Sequence, residues 1–352
     1  MTHLLKFLCA LMLGVHLSTS ASCLNVPRLT GVNLAGAEFN SKALPGVVNK
    51  DYTYPSISEL AYIAEQGANV IRLPFRWERI QHTQFSQLNT AELKRLRDTV
   101  NAANAHGLCV ILDVHNYAKY HGEELDGNSE LHTALVDVWL RLAREFKDPA
   151  ATAFGLMNEP AYMPIPEWAT LAKRILSELR NEGARNMVLI AGGHWSGLHD
   201  WFVVRKGQSN ATAFADVRDP LARTVLEVHQ YADEHYSGSK TECHPPDHFS
   251  SRFTRITDWA RDNNQQLFLG EFGMPQNKLC LETMEHFLTL MQGNVWKGWT
   301  YWAAGRWWGN YPLAVSTNAN SVSPQWNIMK HYFYPDKPDT KSEPGPPRKL
   351  SE

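Results

Sequence analysis

Short, nearly unbroken apolar runs alternate along this chain with longer stretches in which apolar residues return every third or fourth place. The runs at residues 28–35, 68–75, 108–115, 153–159, 187–191, 224–229, 266–272 and 297–303 read as strands buried on both faces, as in a parallel sheet. The stretches 56–66, 90–106, 129–146, 166–182, 249–263, 280–291 and 324–332 carry helical spacing. In the third of these, Leu131, Leu135, Val138, Leu142 and Phe146 share one face. Pro166 opens the next helix and Gly183 follows its end. Only residues 198–219 show no evident helix where one is due. Eight strand–helix units predict a single (β/α)8 TIM barrel, whose chemistry belongs at the C-terminal ends of the strands. A doubly wound sheet fits less well, because no G-x-G-x-x-G follows the first strand, and no P-loop occurs.

The two ends of the chain fall outside this pattern. A charged start, an apolar segment over 7–17 and small residues over 18–22 make residues 1–22 a secretory signal, too short for a membrane span. The protein is therefore expected to be secreted, to the periplasm or the extracellular space. Cleavage near Ala21 or Ser22 would leave Cys23 at the new N-terminus. A lipid anchor on Cys23 is the lesser alternative, since Ser20 stands where lipoprotein signals usually carry Leu. The catalytic domain is then 23–334. Residues 335–352, rich in Pro, Lys, Glu and Ser without periodicity, read as a disordered tail.

A hydrophobic content of 43% and a charged content of 20% suit one globular core. A net charge of −2 gives no reason to expect nucleic acid or an anionic membrane as partner. The 12 Trp and 12 Tyr exceed the needs of packing and point to stacking platforms for sugars. Cys9 leaves with the signal, and Cys109, inside an apolar run, reads as a buried thiol. Cys243 and Cys280 lie in loop-like surroundings of an exported chain and are predicted to form a disulfide. Neither has a partner at metal-ligand spacing, and no H-E-x-x-H occurs among the 15 His, so no metal is expected. Asn210-Ala-Thr212 is a glycosylation sequon of a kind that chance often produces.

The candidate chemistry gathers at strand ends. Residues 153–160 read A-F-G-L-M-N-E-P, and Pro160 stops the ladder so that Glu159 is presented at a C-terminal strand end. Arg72, His115, Asn158-Glu159, His194-Trp195, His229, Tyr231, Glu271 and Trp302 occupy the ends of strands two to eight, hence one face of the barrel. Glu159 and Glu271 come from strands four and seven, across the barrel mouth. Paired carboxyls about 5–5.5 Å apart suit retaining glycosidases, and about 6.5–9.5 Å suit inverting ones. Arg72 and Tyr231 are at hand to keep one carboxylate ionised. The other needs a raised pKa to donate a proton, which apolar walls and a neighbouring negative charge supply.

In this order these residues resemble glycoside hydrolase family 5, and within it the endo-β-1,4-glucanases. The resemblance runs from about residue 29 to 332 and rests on six motifs: G-V-N-L-A-G at Gly31, R-L-P-F-R-W at Arg72, D-V-H-N-Y at Asp113, M-N-E-P at Met157, V-H-Q-Y at Val228 and G-E-F-G at Gly270. It implies Glu159 as general acid/base and Glu271 as nucleophile. It further implies that Asn158 reads the sugar 2-hydroxyl and that Arg72 and Tyr231 orient Glu271. His229 would sit beside Glu159, with His115 and the platform Trp302 in the same subsite; the Trp302–Ala303 peptide is often cis in such enzymes. Trp195 and Trp77 match aromatic positions lining the cleft, and the Cys243–Cys280 bridge fits the group. His194 is either a site residue or a plain loop residue. Trp307 and Trp308 are either a cleft rim or a barrel cap, whereas Trp296 and Trp299 read as packing.

The expected activity is secreted endo-β-1,4-glucanase action by double displacement, without metal or organic cofactor, by a monomer on β-glucan. The alternatives are the same mechanism on β-mannan, mixed-linkage β-glucan or xyloglucan, and a non-catalytic glycan-binding barrel.

Overall fold

The computed structural model describes residues 22–24, 26–291, 293–321 and 323–333. Residues 1–21 of the expected signal (1–22) and the whole of the expected tail (335–352) lie outside these residues. Among the described residues, eight parallel strands close a barrel: β1 (Leu29–Leu34), β2 (Val70–Phe75), β3 (Cys109–Val114), β6 (Thr152–Gly155), β7 (Val188–Ala191), β8 (Thr224–His229), β9 (Leu267–Glu271) and β10 (Trp296–Ala304). A two-stranded ribbon, β4 (Lys119–Tyr120) with β5 (Glu123–Glu124), rises from the loop after β3. The expected (β/α)8 barrel is therefore the observed fold. No helix among the described residues is long and apolar enough to cross a membrane.

Local sequence explains where the helices start. Ser56 caps the first, Ile57–Glu65, in a reciprocal capping box with Glu59. Asn89, Asn128 and Asn277 accept backbone N–H groups at the starts of Thr90–Ala105, Ser129–Glu145 and Lys278–Leu290. Leu131, Leu135, Val138 and Leu142 bury the predicted face; Phe146 lies one residue past the helix end. After β7 the chain forms a single short helical turn, Asn210–Ala213, in the region where no periodicity was evident. That segment is anchored by Trp201 and Phe214, both fully buried. Strand β6 also ends earlier than its apolar run, at Gly155. Two further backbone bonds, Leu156 N–H to Leu189 O and Asn158 N–H to Val114 O, carry the chain to the barrel rim.

The barrel interior is layered. Leu29, Val70, Cys109, Ile111, Ala153, Leu189, Val225 and Phe268 form one apolar cluster. Side chains in a strand repeat their direction every second residue. The next inward positions are therefore Asn33, Arg72, Asp113 and Glu227, all buried. An apolar floor thus carries a charged middle layer, and above it sit the rim residues.

Cys23 is 1% exposed and belongs to the floor cluster. Its N–H bonds Ala150 O, and its sulfur is joined to Cys109. One expectation and one lesser alternative are corrected by this. Cys109 is not a free buried thiol, because the segment before β1 folds under the barrel and brings Cys23 to it. Cys23 likewise has no free sulfur for a lipid. The second bridge is Cys243–Cys280, as expected. The sequon asparagine is no acceptor in this fold: Asn210 is 1% exposed, and its amide exchanges hydrogen bonds with Gly193 on both sides.

Candidate active site

Arg72 is the centre of the charged layer. Its Nη1 donates to Asn33 Oδ1 at 2.9 Å and Glu271 Oε1 at 3.1 Å, and its Nη2 to Asn158 Oδ1 at 2.7 Å. Ion pairs join it to Asp113 at 3.1 Å and Glu227 at 3.0 Å. Three carboxylates around one buried guanidinium offset its desolvation, and its pKa is raised above even its usual value. Asn33 is itself pinned by Nδ2 to Gly270 O at 2.8 Å. Thus β1, β2, β3, β8 and β9 are tied together at one height.

Two carboxylate–histidine pairs rise from this layer. On β3, Asp113 Oδ2 lies 2.8 Å from His115 Nδ1. The other ring nitrogen of His115 faces Asn158 Nδ2 at 3.2 Å and Tyr117 Oη at 3.1 Å. Asn158 gives its oxygen to Arg72, so its amide N–H is the donor and His115 Nε2 the acceptor. Burial and the guanidiniums of Arg72 and Arg76 hold His115 well below the usual histidine range, which matches a neutral ring protonated at Nδ1. On β8, Glu227 Oε1 lies 3.1 Å from His229 Nε2, while His229 Nδ1 is 2.7 Å from Glu159 Oε1 and 3.6 Å from Glu271 Oε2. Burial opposes charge on His229, but Glu271, Glu159 and Glu227 outweigh it and push its pKa up to about 10.

The two expected carboxylates meet at the mouth. One ligand atom each from Glu159, His229 and Glu271 lie within 4.8 Å of one another. A cation could in principle use that trio, but both His229 nitrogens already face carboxylates. Glu271 accepts from Tyr231 Oη at 2.8 Å and from Arg72, and is 3% exposed. Burial and the charge of Glu271 keep the Tyr231 phenol protonated. Burial raises the Glu159 pKa, and the charge of Glu271 adds to it against the pull of His229. Glu159 has φ 42°, and His194, Trp195 and Ser196 have φ between 54° and 62°. Left-handed backbone at non-glycine residues costs about 1–3 kcal/mol each and persists where surroundings enforce it.

Aromatic rings flank the pair. Trp302 stacks on His115, centroids 5.4 Å apart and planes 16° apart, and its peptide to Ala303 is cis. Trp308 meets Trp302 edge-on at 5.7 Å and stacks on Tyr311 at 4.6 Å, so it belongs to the rim. Trp307 is exposed. A cleft of about 630 Å³ is lined by Glu159, His229 and Tyr231 together with Tyr117, Tyr162, His194, Trp195, His199 and Tyr236, among others. His194 lines it with Nδ1 at 2.8 Å from Asp200. Trp195 stands out into it, next to Tyr162.

Trp77 does not line the cleft. It is fully buried beneath Tyr120, with its indole N–H on Gln81, because the helical turn Trp77–Ile80 directs it into the core. Trp296 and Trp299 are packing residues, the latter stacked on Phe333. Asn33, Glu227 and Tyr162 escaped the sequence reading. For the first two a signal existed: each is a polar residue inside an apolar strand, in phase with the floor residues Leu29 and Val225. Tyr162, in a loop without periodicity, gave none.

The cellulase family (glycosyl hydrolase family 5) matches residues 32–306 of this chain. The endo-β-1,4-glucanase B of Aspergillus niger is 32% identical over 307 residues, 86% of this chain and 89% of that protein. Among solved structures, the endo-β-1,4-glucanase Xac0029 from Xanthomonas axonopodis pv. citri is 41% identical with a TM-score of 0.84, covering 87% of this chain and 98% of that one. XacCel5A in complex with cellopentaose is 42% identical with a TM-score of 0.83, over 87% of this chain and 100% of that one. With the family's span covering the whole barrel mouth, from β1 past Trp302, this chain is a glycoside hydrolase and belongs to glycosyl hydrolase family 5.

Proposed function

We propose that the chain is an exported endo-β-1,4-glucanase that retains configuration. The observation that carries this reading is the pair of carboxylate oxygens, from Glu159 and Glu271, within 4.8 Å of each other. That closeness fits the retaining class, with carboxyls about 5–5.5 Å apart, rather than the wider separation of about 6.5–9.5 Å by which inverting enzymes admit a water beside the sugar. Glu271, fed by Arg72 and Tyr231, attacks the anomeric carbon. Glu159 protonates the leaving oxygen and then deprotonates the water that releases the glycosyl-enzyme. Asn158, held by Arg72 and His115, has an N–H left for the 2-hydroxyl. Trp302 is the platform beneath that sugar, and Trp195 with His194 receives the leaving group. β-1,4-Glucan is favoured as substrate by the relatives named above and by the complex of XacCel5A with cellopentaose. Two disulfides and the leading segment favour export.

NMR of the first product formed from a soluble cellulose derivative should show the β-anomer, and Glu271→Gln should abolish release of reducing ends. An α-anomer, or near-normal hydrolysis by that variant, overturns the mechanism. A panel of β-glucan, mannan, mixed-linkage glucan and xyloglucan tests the substrate. Hydrolysis undiminished by chelator is the expected outcome for a reaction run by side chains alone.

A further inference from the structure

Two strands of the barrel carry the same triplet pattern: Asp113-Val114-His115 leading out of β3 and Glu227-Val228-His229 at the end of β8. Both carboxylates pair with Arg72 and both hold the histidine two residues on. The surroundings of the two rings differ. His115 meets one carboxylate and one amide N–H, which requires an unprotonated nitrogen. His229 meets carboxylate oxygens at both nitrogens and no donor at either.

We infer that Glu227 is a positioning residue for the reaction, holding His229 as an imidazolium whose Nδ1–H is aimed at Glu159 Oε1. Oε1 of Glu159 then only accepts, so the acid proton of Glu159 resides on Oε2, the oxygen free to face the glycosidic bond. When that proton moves to the leaving oxygen, the carboxylate left behind already has a cation beside it. The inference rests on the acid/base role proposed for Glu159.

The chain makes specific room for this arrangement. A Cβ on Gly270 would stand 2.0 Å from Glu227 Oε1, so the glycine before Glu271 is the space that Glu227 occupies. The Glu227 side chain is 2% exposed. Burial raises its carboxyl, but Arg72 together with the bond to His229 outweighs burial and keeps it below the usual range, so Glu227 faces His229 as an anion. The other charged and titratable groups around His229 are Glu159 beyond β6, Glu271 of β9, Arg72 of β2, and Asp113 and His115 of the β3 arm. Tyr231 completes the set and stays neutral.

The test is ¹⁵N NMR of the histidine rings in the full chain, with the His229 signals assigned by their loss in His229→Gln. Between pH 7 and 8, both nitrogens of His229 should be protonated, whereas His115 should show one unprotonated nitrogen. In Glu227→Gln the His229 titration midpoint should fall by at least one pH unit. The kcat on a soluble cellulose derivative should fall tenfold or more with KM within about twofold. An unprotonated His229 nitrogen at pH 7 in the wild type overturns the inference, as does an unchanged midpoint in the variant. If Glu227→Gln does not fold, the wild-type spectrum alone decides. The spectra are taken without substrate, so they stand or fall apart from the hydrolysis tests of the Proposed function.

Discussion

The β3 and β8 arms of the barrel share one residue pattern and end in opposite charge states, with burial pushing the Asp113 carboxyl up to about 7 while Glu227 stays below the usual range. Each has a buried carboxylate on Arg72 and a histidine two residues later. His115 is neutral because burial and two guanidiniums oppose its charge, and because Asn158 offers it a hydrogen rather than a lone pair. His229 is held charged because Glu159 and Glu271 converge on its outer nitrogen side. A carboxylate behind a histidine therefore does not by itself decide what the histidine is. The groups in front and the charge on that carboxylate decide together. The neutral arm orients, fixing Asn158 and lying flat against Trp302. The charged arm sets the electrostatics of the proposed acid.

Removing the shared anchor should have the largest effect on this contrast. Arg72→Met would leave three carboxylates, Asp113, Glu227 and Glu271, buried without their cation. A loss of about 3–5 kcal/mol of stability is expected, measured by urea denaturation, together with loss of hydrolysis. A variant as stable as the wild type would mean that the layer is wetter than its burial implies. Next comes the group that distinguishes the arms. Glu159→Gln should slow hydrolysis of a cellulose derivative by about 10²–10⁴-fold. It should also lower the His229 titration midpoint and leave His115 neutral. A His229 midpoint that does not respond would break the assignment of its charge to what stands in front of it. Smaller still is Asp113→Asn, which frees the tautomer of His115. We expect kcat/KM to fall about tenfold, as for partners that orient a functional histidine, with His229 still doubly protonated by ¹⁵N NMR.

Much of this contrast was legible in the sequence, and its missing part has a physical reason. The strand ends gave His115, Asn158, Glu159, His229, Tyr231, Glu271 and Trp302, because apolar runs show where a parallel strand stops, whereas Arg72, expected near the end of its strand, sits inside β2 in the middle layer. The middle layer was overlooked because Asn33 and Glu227 sit inside those runs, where a lone polar residue looks like noise until the two-residue phase is followed down to Leu29 and Val225. Trp77 misled for the converse reason: it follows a strand end, but a helical turn at once folds it inward. Cys23 and Cys109 are 86 residues apart, and only the closure of the barrel floor brings them together. No local pattern encodes that. The part of the cleft around Tyr162, whose ring meets Lys119 Nζ at 3.5 Å, is built from loops, where periodicity carries no information.

The two arms should also oppose each other in how stability depends on pH, the smallest effect of the four. An unfolded histidine titrates near 6.5. The folded pKa of His229 is raised to about 10, so its contribution is fully present below about 6.5 and is lost as pH climbs from there toward 10. The folded pKa of His115 is depressed, so below about 6.5 the unfolded chain takes up a proton that the folded one refuses, and stability falls as pH falls. Each group changes the slope of unfolding free energy by at most about 1.4 kcal/mol per pH unit. Denaturation of wild type, His229→Gln and His115→Gln at pH 5, 7 and 9 separates them. His229→Gln should flatten the alkaline decline alone, and His115→Gln should flatten part of the acid decline alone, the remainder belonging to carboxylates such as Asp219 whose pKa is depressed by its bonds to Arg180 and backbone N–H groups despite burial. If both variants flatten the same limb, the two histidines share one charge state, and the difference between the arms is geometric rather than electrostatic.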